Sequence, residues 1–186
     1  MKEPDIRALI KIGTLLTETD YERALSADRT LRLLIKEEPA LINLRNELRS
    51  LIVKYESLNW SDIENISAEQ LTESLAAENL IAAEQQFISR RKEIILSRLT
   101  ALGLIQKDLG TLLNHNKSYT SELLNGIRSF SLNDLILIHK LLKIDLKELF
   151  PTLVPIEIQE RVKASVSKIS SKKVRLKTSE LELVSL

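Results

Sequence analysis

The chain has no cysteine, so disulfide bonds and thiolate chemistry are both excluded. Glycine and proline are scarce, with four residues of each, and aromatic residues make up only 4% of the sequence. Proteins rich in β-structure need more turn residues and aromatic side chains than this. Leucine, isoleucine, glutamate and lysine dominate instead, and the 44% hydrophobic content is enough for a packed core. We therefore expect an all-α protein of one or two domains.

Long hydrophobic runs are also missing. No apolar stretch approaches the roughly 20 residues that are needed to cross a bilayer. The first residues, 1–7, are charged and lack the hydrophobic stretch of a signal peptide. The expectation is a cytoplasmic protein that does not associate with a membrane.

The sequence patterns of catalytic and metal-binding sites are absent as well. His115 and His139 are the only histidines, and two distant histidines without cysteine make a poor metal site. There is no GxSxG motif, no supported Ser/His/Asp spacing and no glycine-rich phosphate loop. The adjacent carboxylates Glu37 and Glu38 are more typical of a helix end than of an acid/base pair. We therefore predict a protein that is not an enzyme and that needs neither metal nor cofactor.

The overall net charge of +1 hides an asymmetry along the chain. Residues 1–88 carry 10 basic and 16 acidic side chains, a net charge of −6. Residues 89–150 have a net charge of +4, and residues 151–186 have a net charge of +3. An acidic front half and a basic back half suggest two partners of opposite charge. Ordinary variation of surface charge is the alternative.

Helical periodicity and capping signals divide the chain into four regions. In the acidic helical region 1–66, apolar repeats predict a helical hairpin, with Thr19 as the cap of its first helix. Residues 67–87 connect the two halves, and Ser67 is the predicted cap of their helix. The same helical pattern continues to Leu102, either unbroken or with a break near Asn79 or Ser89, and Gly103 is its predicted stop. Ser131, with Asp134 at the third position, is the predicted cap of a later helix. The other regions are a helix-turn-helix domain at 88–151 and a basic tail at 152–186.

The tail differs in composition from the rest of the chain. Residues 167–173 are rich in serine and lysine, which is typical of a mobile segment. Polar and apolar side chains alternate at 174–177 and 181–184, a pattern that favours a short strand.

The most informative stretch lies at 106–126, where two short helical patterns flank a polar turn. In a helix-turn-helix the second helix enters the major groove of DNA, and the first crosses the backbone. Small polar and basic side chains at the start of the second pattern suit base edges and phosphates, and Gln106 suits a phosphate. Leucines of both patterns form the framework between them. The predicted DNA-binding residues are Gln106, Lys117, Ser118, Tyr119, Ser121 and Arg128.

Residues 88–150 resemble the Cro/CI-like (Xre) DNA-binding domain, with five short helices. The run Ser121-Glu122-Leu123-Leu124-Asn125-Gly126-Ile127-Arg128-Ser129-Phe130-Ser131-Leu132 is similar to a signature of HigA-type antitoxins. The front half also resembles these antitoxins, so that the likeness covers about residues 15–150. Its matching positions are Tyr21-Glu22-Arg23-Ala24-Leu25, Leu33-Leu34, Glu38-Pro39, Leu48, Leu51-Ile52 and Tyr55-Glu56.

The chain departs from this family pattern around the turn. Ile105 stands where a threonine usually caps the first helix, so we expect that cap to be lost. Gly110 stands after the leucine, where the family usually has a small residue. Asn114-His115-Asn116 stands where the family has a turn with glycine, and by count this turn is about one residue longer. Ile127 replaces a basic residue that would contact phosphate. These changes bear on the affinity for operator DNA more than on the fold.

The resemblance implies a type II toxin–antitoxin system. The chain would neutralise a HigB-type toxin, a small basic mRNA endonuclease, through unidentified residues within 1–66. As a homodimer it would bind palindromic operator DNA and repress its own operon. Leu146, Leu149 and Phe150 are the predicted dimer contact, with closure of the monomer core as an equal alternative.

Two other classes of function remain open. One is a helical protein-binding adaptor in which the helix-turn-helix is vestigial or contacts DNA only weakly. The other is a plain transcription regulator with a ligand-sensing front half. A neighbouring gene for a small basic protein favours the antitoxin, whereas an isolated gene favours the alternatives.

Overall fold

The computed structural model describes residues 5–62, 66–151 and 156–170. Every regular element within these ranges is helical, which confirms the all-α prediction. Contacts separate a compact unit, Lys2–Pro151, from a second unit that contains the last helix. The helices are α1 (Ile6–Ile12), α2 (Glu18–Leu34), α3 (Ile42–Asn59), α4 (Ala68–Ala101), α5 (Gln106–Leu113), α6 (Lys117–Leu124), α7 (Leu132–Leu142), α8 (Leu146–Leu149) and α9 (Ile156–Ser170).

Helices α2 and α3 pack against each other as a hairpin, with a 3₁₀ turn at Pro39–Leu41 between them. The side chains of Leu31 and Leu48 are fully buried in the core that they share. The proline occupies the first turn, where its missing amide proton costs nothing. The predicted hairpin is therefore present in the acidic region.

The N-cap of helix α2 lies two residues before the predicted one. Thr17 is the N-cap, and its side chain accepts a hydrogen bond from the Asp20 amide at 3.1 Å, whereas Thr19 lies inside the helix. The earlier start places Glu18 in the core. There its carboxylate accepts hydrogen bonds from the Tyr55 hydroxyl at 2.9 Å and from Trp60 Nε1 at 3.1 Å. The prediction of Thr19 was wrong because only the tertiary contacts of Glu18 distinguish the two threonines.

Helix α4 is unbroken over 34 residues and packs against helices of both halves of the compact unit. Ser67 caps it as predicted, accepting from the Gln70 amide at 3.1 Å, and the left-handed Gly103 follows its end at φ 71°. No break occurs at Asn79 or Ser89, because a buried stripe continues along the helix from Ala77 to Leu99. Among the described residues, no helix is both long and apolar enough to cross a membrane.

The buried residues of the compact unit form two clusters. The front cluster is built from α1, α2 and α3 and also takes in Ile127, which follows α6. The back cluster joins the end of α4 to α5, α6, α7 and α8. The capping box of Ser131 and Asp134 starts α7 as the sequence predicts. Because Ile127 belongs to the front cluster, the two halves touch near α6.

The tail contains a helix that the sequence analysis missed. Helix α9 extends to Ser170, so residues 167–170 of the predicted mobile segment are helical, and residues 171–173 lie outside the described residues. Apolar residues at 158, 162, 166 and 169 follow the helical period and could have revealed it. The predicted strand segments 174–177 and 181–184 lie outside the described residues.

Tyr21 and Tyr55 of the front cluster should lower the stability of the fold at alkaline pH. Burial, together with hydrogen bonds to Glu56 and Glu18, raises the pKa of both Tyr21 and Tyr55 above the ordinary value of 10.0. Unfolded tyrosines lose their protons at lower pH than the folded pair, so the stabilisation is complete below pH 10 and is lost as the pH rises further. Absorbance titration should show two of the three tyrosines ionising only as the helical signal is lost.

Tyr21→Phe is the matched variant for this titration, since it should remove one equivalent from the late step alone. Ionisation of Tyr21 and Tyr55 near pH 10 with the helices intact would contradict the assignment.

Candidate nucleic-acid interface

Helix α5 starts without a side-chain cap, as expected from Ile105. The residue is extended, at φ −119°, and the Asp108 carboxylate accepts a hydrogen bond from its amide at 2.9 Å. Gln106 is the first residue of the helix and is half-buried. Asp108, the third residue of the helix, therefore supplies half of a capping box. Gln106 remains the first residue of the helix, as the sequence predicts.

The connection between α5 and α6 is three residues long, 114–116. This lies within the ordinary length of a helix-turn-helix connection. Asn114 takes the left-handed conformation at φ 57°, and asparagine tolerates that conformation better than most residues other than glycine. The Asn116 side chain caps α6 by accepting from the Tyr119 amide at 2.8 Å. Asn114 thus takes the left-handed turn position that glycine often occupies, and Asn116 is the N-cap of α6.

A close approach between Gly110 and Thr120 fixes α6 against α5. A Cβ atom on Gly110 would lie 2.8 Å from Thr120 Oγ1 and 3.0 Å from the His115 carbonyl oxygen. Thr120 is fully buried, and its hydroxyl donates to the Asn116 carbonyl oxygen at 2.9 Å. Only glycine leaves room for this contact.

His115, in the turn, ties the helix pair to α7. Its Nε2 atom lies 3.1 Å from an oxygen of Asp134, the residue that completes the α7 capping box. The imidazole also contacts the Tyr119 ring, with centroids 4.5 Å apart. His139 bonds the Ile144 carbonyl oxygen through Nδ1 at 2.7 Å. Each histidine therefore has a structural partner.

The predicted DNA-binding residues of α6 differ in accessibility. Lys117 and Ser118 are exposed at the start of the helix, whereas Tyr119 is half-buried. Ser121 is only 7% exposed. The Arg128 guanidinium lies 4.6 Å from the centroid of the Tyr119 ring. The structure thus brings Tyr119 and Arg128 together and leaves Lys117 and Ser118 as the accessible polar residues.

Glu122 is the residue that the sequence analysis missed. Its buried carboxylate accepts from Arg128 Nε at 2.7 Å, from Arg7 Nε at 2.7 Å and from Arg7 Nη2 at 2.9 Å. These hydrogen bonds raise the pKa of Arg7 above its ordinary value, against the opposing effect of burial. The only sequence signal was an acidic residue within a basic segment. Nothing in the sequence links it to an arginine 115 positions away.

The front half contacts α6 and its C-terminal turn in two further places. The Ser118 hydroxyl donates to the Glu38 carboxylate, and the Ile6 amide donates to the Ile127 carbonyl oxygen at 3.1 Å. Ile6 and Ile127 are both fully buried. Part of the surface of α6 and of its C-terminal turn is therefore covered by the acidic region.

The three residues of the predicted dimer contact also differ in accessibility. Leu149 is 0% exposed, and its side chain lies in the back core. Phe150 is half-buried against the same core, whereas Leu146 is 41% exposed. Leu149 thus lies in the monomer core, as the alternative of core closure predicts, and Leu146 is the most accessible of the three.

Gly110→Ala should destabilise the protein although alanine normally stabilises a helix interior by about 0.5–1 kcal/mol. The new methyl group meets a buried hydroxyl and a backbone oxygen, so we expect a loss of about 1–3 kcal/mol in the free energy of unfolding. Thr111→Ala, at the exposed next position, is the control and should change it little. Denaturant unfolding measures both, and a stabilised Gly110→Ala would contradict the close contact.

No family model, no curated protein and no solved structure matches this chain.

Proposed function

We propose that the chain is a transcription regulator that contacts DNA through α5 and α6. The observation that carries the proposal is the geometry of this pair: two eight-residue helices, a three-residue connection, and a second helix whose exposed start offers Lys117 and Ser118. A helix presented in this way suits the major groove. The Gly110–Thr120 approach supports it by holding the two helices in one fixed arrangement.

Charge supports the same proposal. The segment 89–150 has a net charge of +4 in a chain whose overall charge is +1. Lys107 and Lys117 are exposed on the two helices of the pair. Lysines of this kind bind phosphates and make affinity fall with salt.

The antitoxin role is the more specific part of the proposal and rests on the resemblance to HigA-type proteins. The front region that would bind the toxin is acidic, which suits a small basic partner. It also offers exposed apolar side chains for such a contact. These side chains are Ile12, Leu16, Leu33, Ile42, Val53 and Leu58.

A homodimer belongs to the same proposal, because symmetric dimers bind palindromic operators with half-sites about one helical turn apart. Leu146 would supply its predicted contact. Exposed apolar residues on α7 would extend this surface, and these are Leu132, Ile136, Leu137 and Leu141.

A protein-binding adaptor is the second candidate, and one observation favours it. Arg128, predicted to contact phosphate, is bonded to Glu122, and Ser118 is bonded to Glu38. An α6 helix that is permanently covered in this way would serve partner binding rather than DNA.

DNA binding is tested by fluorescence anisotropy on a duplex from the chain's own promoter, against a scrambled duplex, over a salt series. Lys117→Ala should weaken binding to both duplexes and flatten the salt dependence, as loss of a phosphate contact does. Ser118→Ala should weaken binding to the promoter duplex alone, by about 1–3 kcal/mol. Lys54→Ala, an exposed lysine on α3, is the control and should change neither.

Two results would contradict this assignment. Equal, weak binding of both duplexes by the native chain would favour the adaptor. Identical effects of all three substitutions would show that α6 is not the contacting helix.

The antitoxin role is tested with the product of the neighbouring gene. If that product is a small basic protein, co-expression should relieve the growth arrest that it causes alone, and the two purified proteins should elute together. The complex should weaken with added salt, because charge complementarity contributes to it. Arrest that persists on co-expression, with separate elution, would remove the toxin from the proposal and leave the DNA-binding part standing.

A further inference from the structure

Helix α1 lies against the helix that is proposed to enter DNA. It is only seven residues long and buries two side chains, Ile6 and Leu9. It ends at Gly13, which is left-handed at φ 78° and has no atom within 4 Å of the place where a Cβ would stand. A short helix depends on tertiary contacts, because isolated helices of this length are not stable in water.

Three contacts hold α1 to α6 and to the turn that follows it. Arg7 forms two hydrogen bonds with the Glu122 carboxylate, at 2.7 and 2.9 Å. The Ile6 amide donates to the Ile127 carbonyl oxygen at 3.1 Å, and the two isoleucine side chains lie in the same buried cluster. A charged pair, a backbone hydrogen bond and an apolar pair thus attach α1 to α6 and its turn, while Ile6 and Leu9 also pack in the front cluster with α2 and α3.

These contacts involve the face of α6 that DNA would need. Ser118 and Glu122 are four residues apart, so they lie on one face of the helix. The front half bonds both of them, through Glu38 and Arg7. Glu122 in turn holds Arg128. The major groove is about 12 Å wide and admits one helix, not a helix with a second one beside its contacting face.

We propose that α1 is an autoinhibitory latch: closed, it competes with DNA for α6, and it opens by detaching about Gly13. The inference rests on the proposed DNA binding. Opening leaves Glu122 paired with Arg128, so no carboxylate loses every partner. The α2–α3 hairpin stays in place, because Arg23 bonds Glu84 of α4 through two hydrogen bonds, at 3.1 and 2.8 Å. The latch is confined to α1; the exposed hydrogen bond between Ser118 and Glu38, next to the hairpin, is a separate contact that opening leaves in place and that DNA itself displaces.

Arg7→Ala in the full chain tests the latch. Apparent affinity is reduced by the fraction of molecules that are competent to bind, so a latch closed nine-tenths of the time lowers it about tenfold. Arg7→Ala should therefore bind the promoter duplex about tenfold more tightly than the native chain. Arg45→Ala is the control, since it removes a similar two-bond pair with Asp28, at 2.8 and 3.2 Å, within the front half, and should leave DNA affinity unchanged.

Amide hydrogen exchange, followed by NMR, reports the latch without DNA. The Ile6 amide donates to Ile127, so its exchange measures detachment, while the Leu31 amide in the front core measures unfolding of that core. Arg7→Ala should speed exchange at Ile6 and leave Leu31 unchanged. Saturating promoter DNA should likewise speed exchange at Ile6 in the native chain. If Arg7→Ala does not fold, Arg7→Lys, which cannot keep both hydrogen bonds in the same geometry, takes its place.

The outcomes separate the latch from the function on which it rests. Selective DNA binding by the native chain with no gain in the Arg7 variant, or with Ile6 protected in the complex, overturns the latch and leaves the DNA-binding proposal intact. Absence of DNA binding by the native chain and both variants overturns both proposals. Binding that appears only when Arg7 is replaced supports both.

Discussion

The carboxylate of Glu122 determines how the two halves of the compact unit meet at α6. A buried charge is tolerated only when it is paired, and removing one partner of a buried pair commonly costs 3–5 kcal/mol. Here Arg7 and Arg128 share the carboxylate, one from each half of the chain. The interaction fixes α1 on α6, occupies a predicted phosphate contact, and sets the accessible surface of the helix pair.

Helix α4 imposes the second constraint. Its buried stripe packs on α2 of the hairpin along one part of its length and on the back cluster along the other. Glu84 bonds Arg23 near the front, and Arg91 donates to the Leu149 carbonyl oxygen at 3.1 Å near the back. A single helix is therefore shared by the two cores, and the element that packs on α2 also supports α5 and α6.

Local signals in the sequence predicted much of the helical framework. Ser67, Ser131 and Gly103 mark helix boundaries because capping and left-handed stops depend on residues only a few positions apart. The same logic located α5 and α6. It failed at Thr17 and Thr19, which have similar capping chemistry, since the choice between them depends on the burial of Glu18 against Tyr55. Helix α9 was missed although its periodicity was visible in the sequence.

By itself the sequence determined the helical class, most helix boundaries, the charge asymmetry and the order of the polar residues around the turn. These follow from composition and from spacings of three or four residues. Only the tertiary structure decided which polar residues are accessible: it left Lys117 and Ser118 exposed, buried Ser121, and placed Leu149 in the core. The physical reason is that accessibility depends on what packs from elsewhere in the chain, and no local pattern encodes the contact between Arg7 and Glu122.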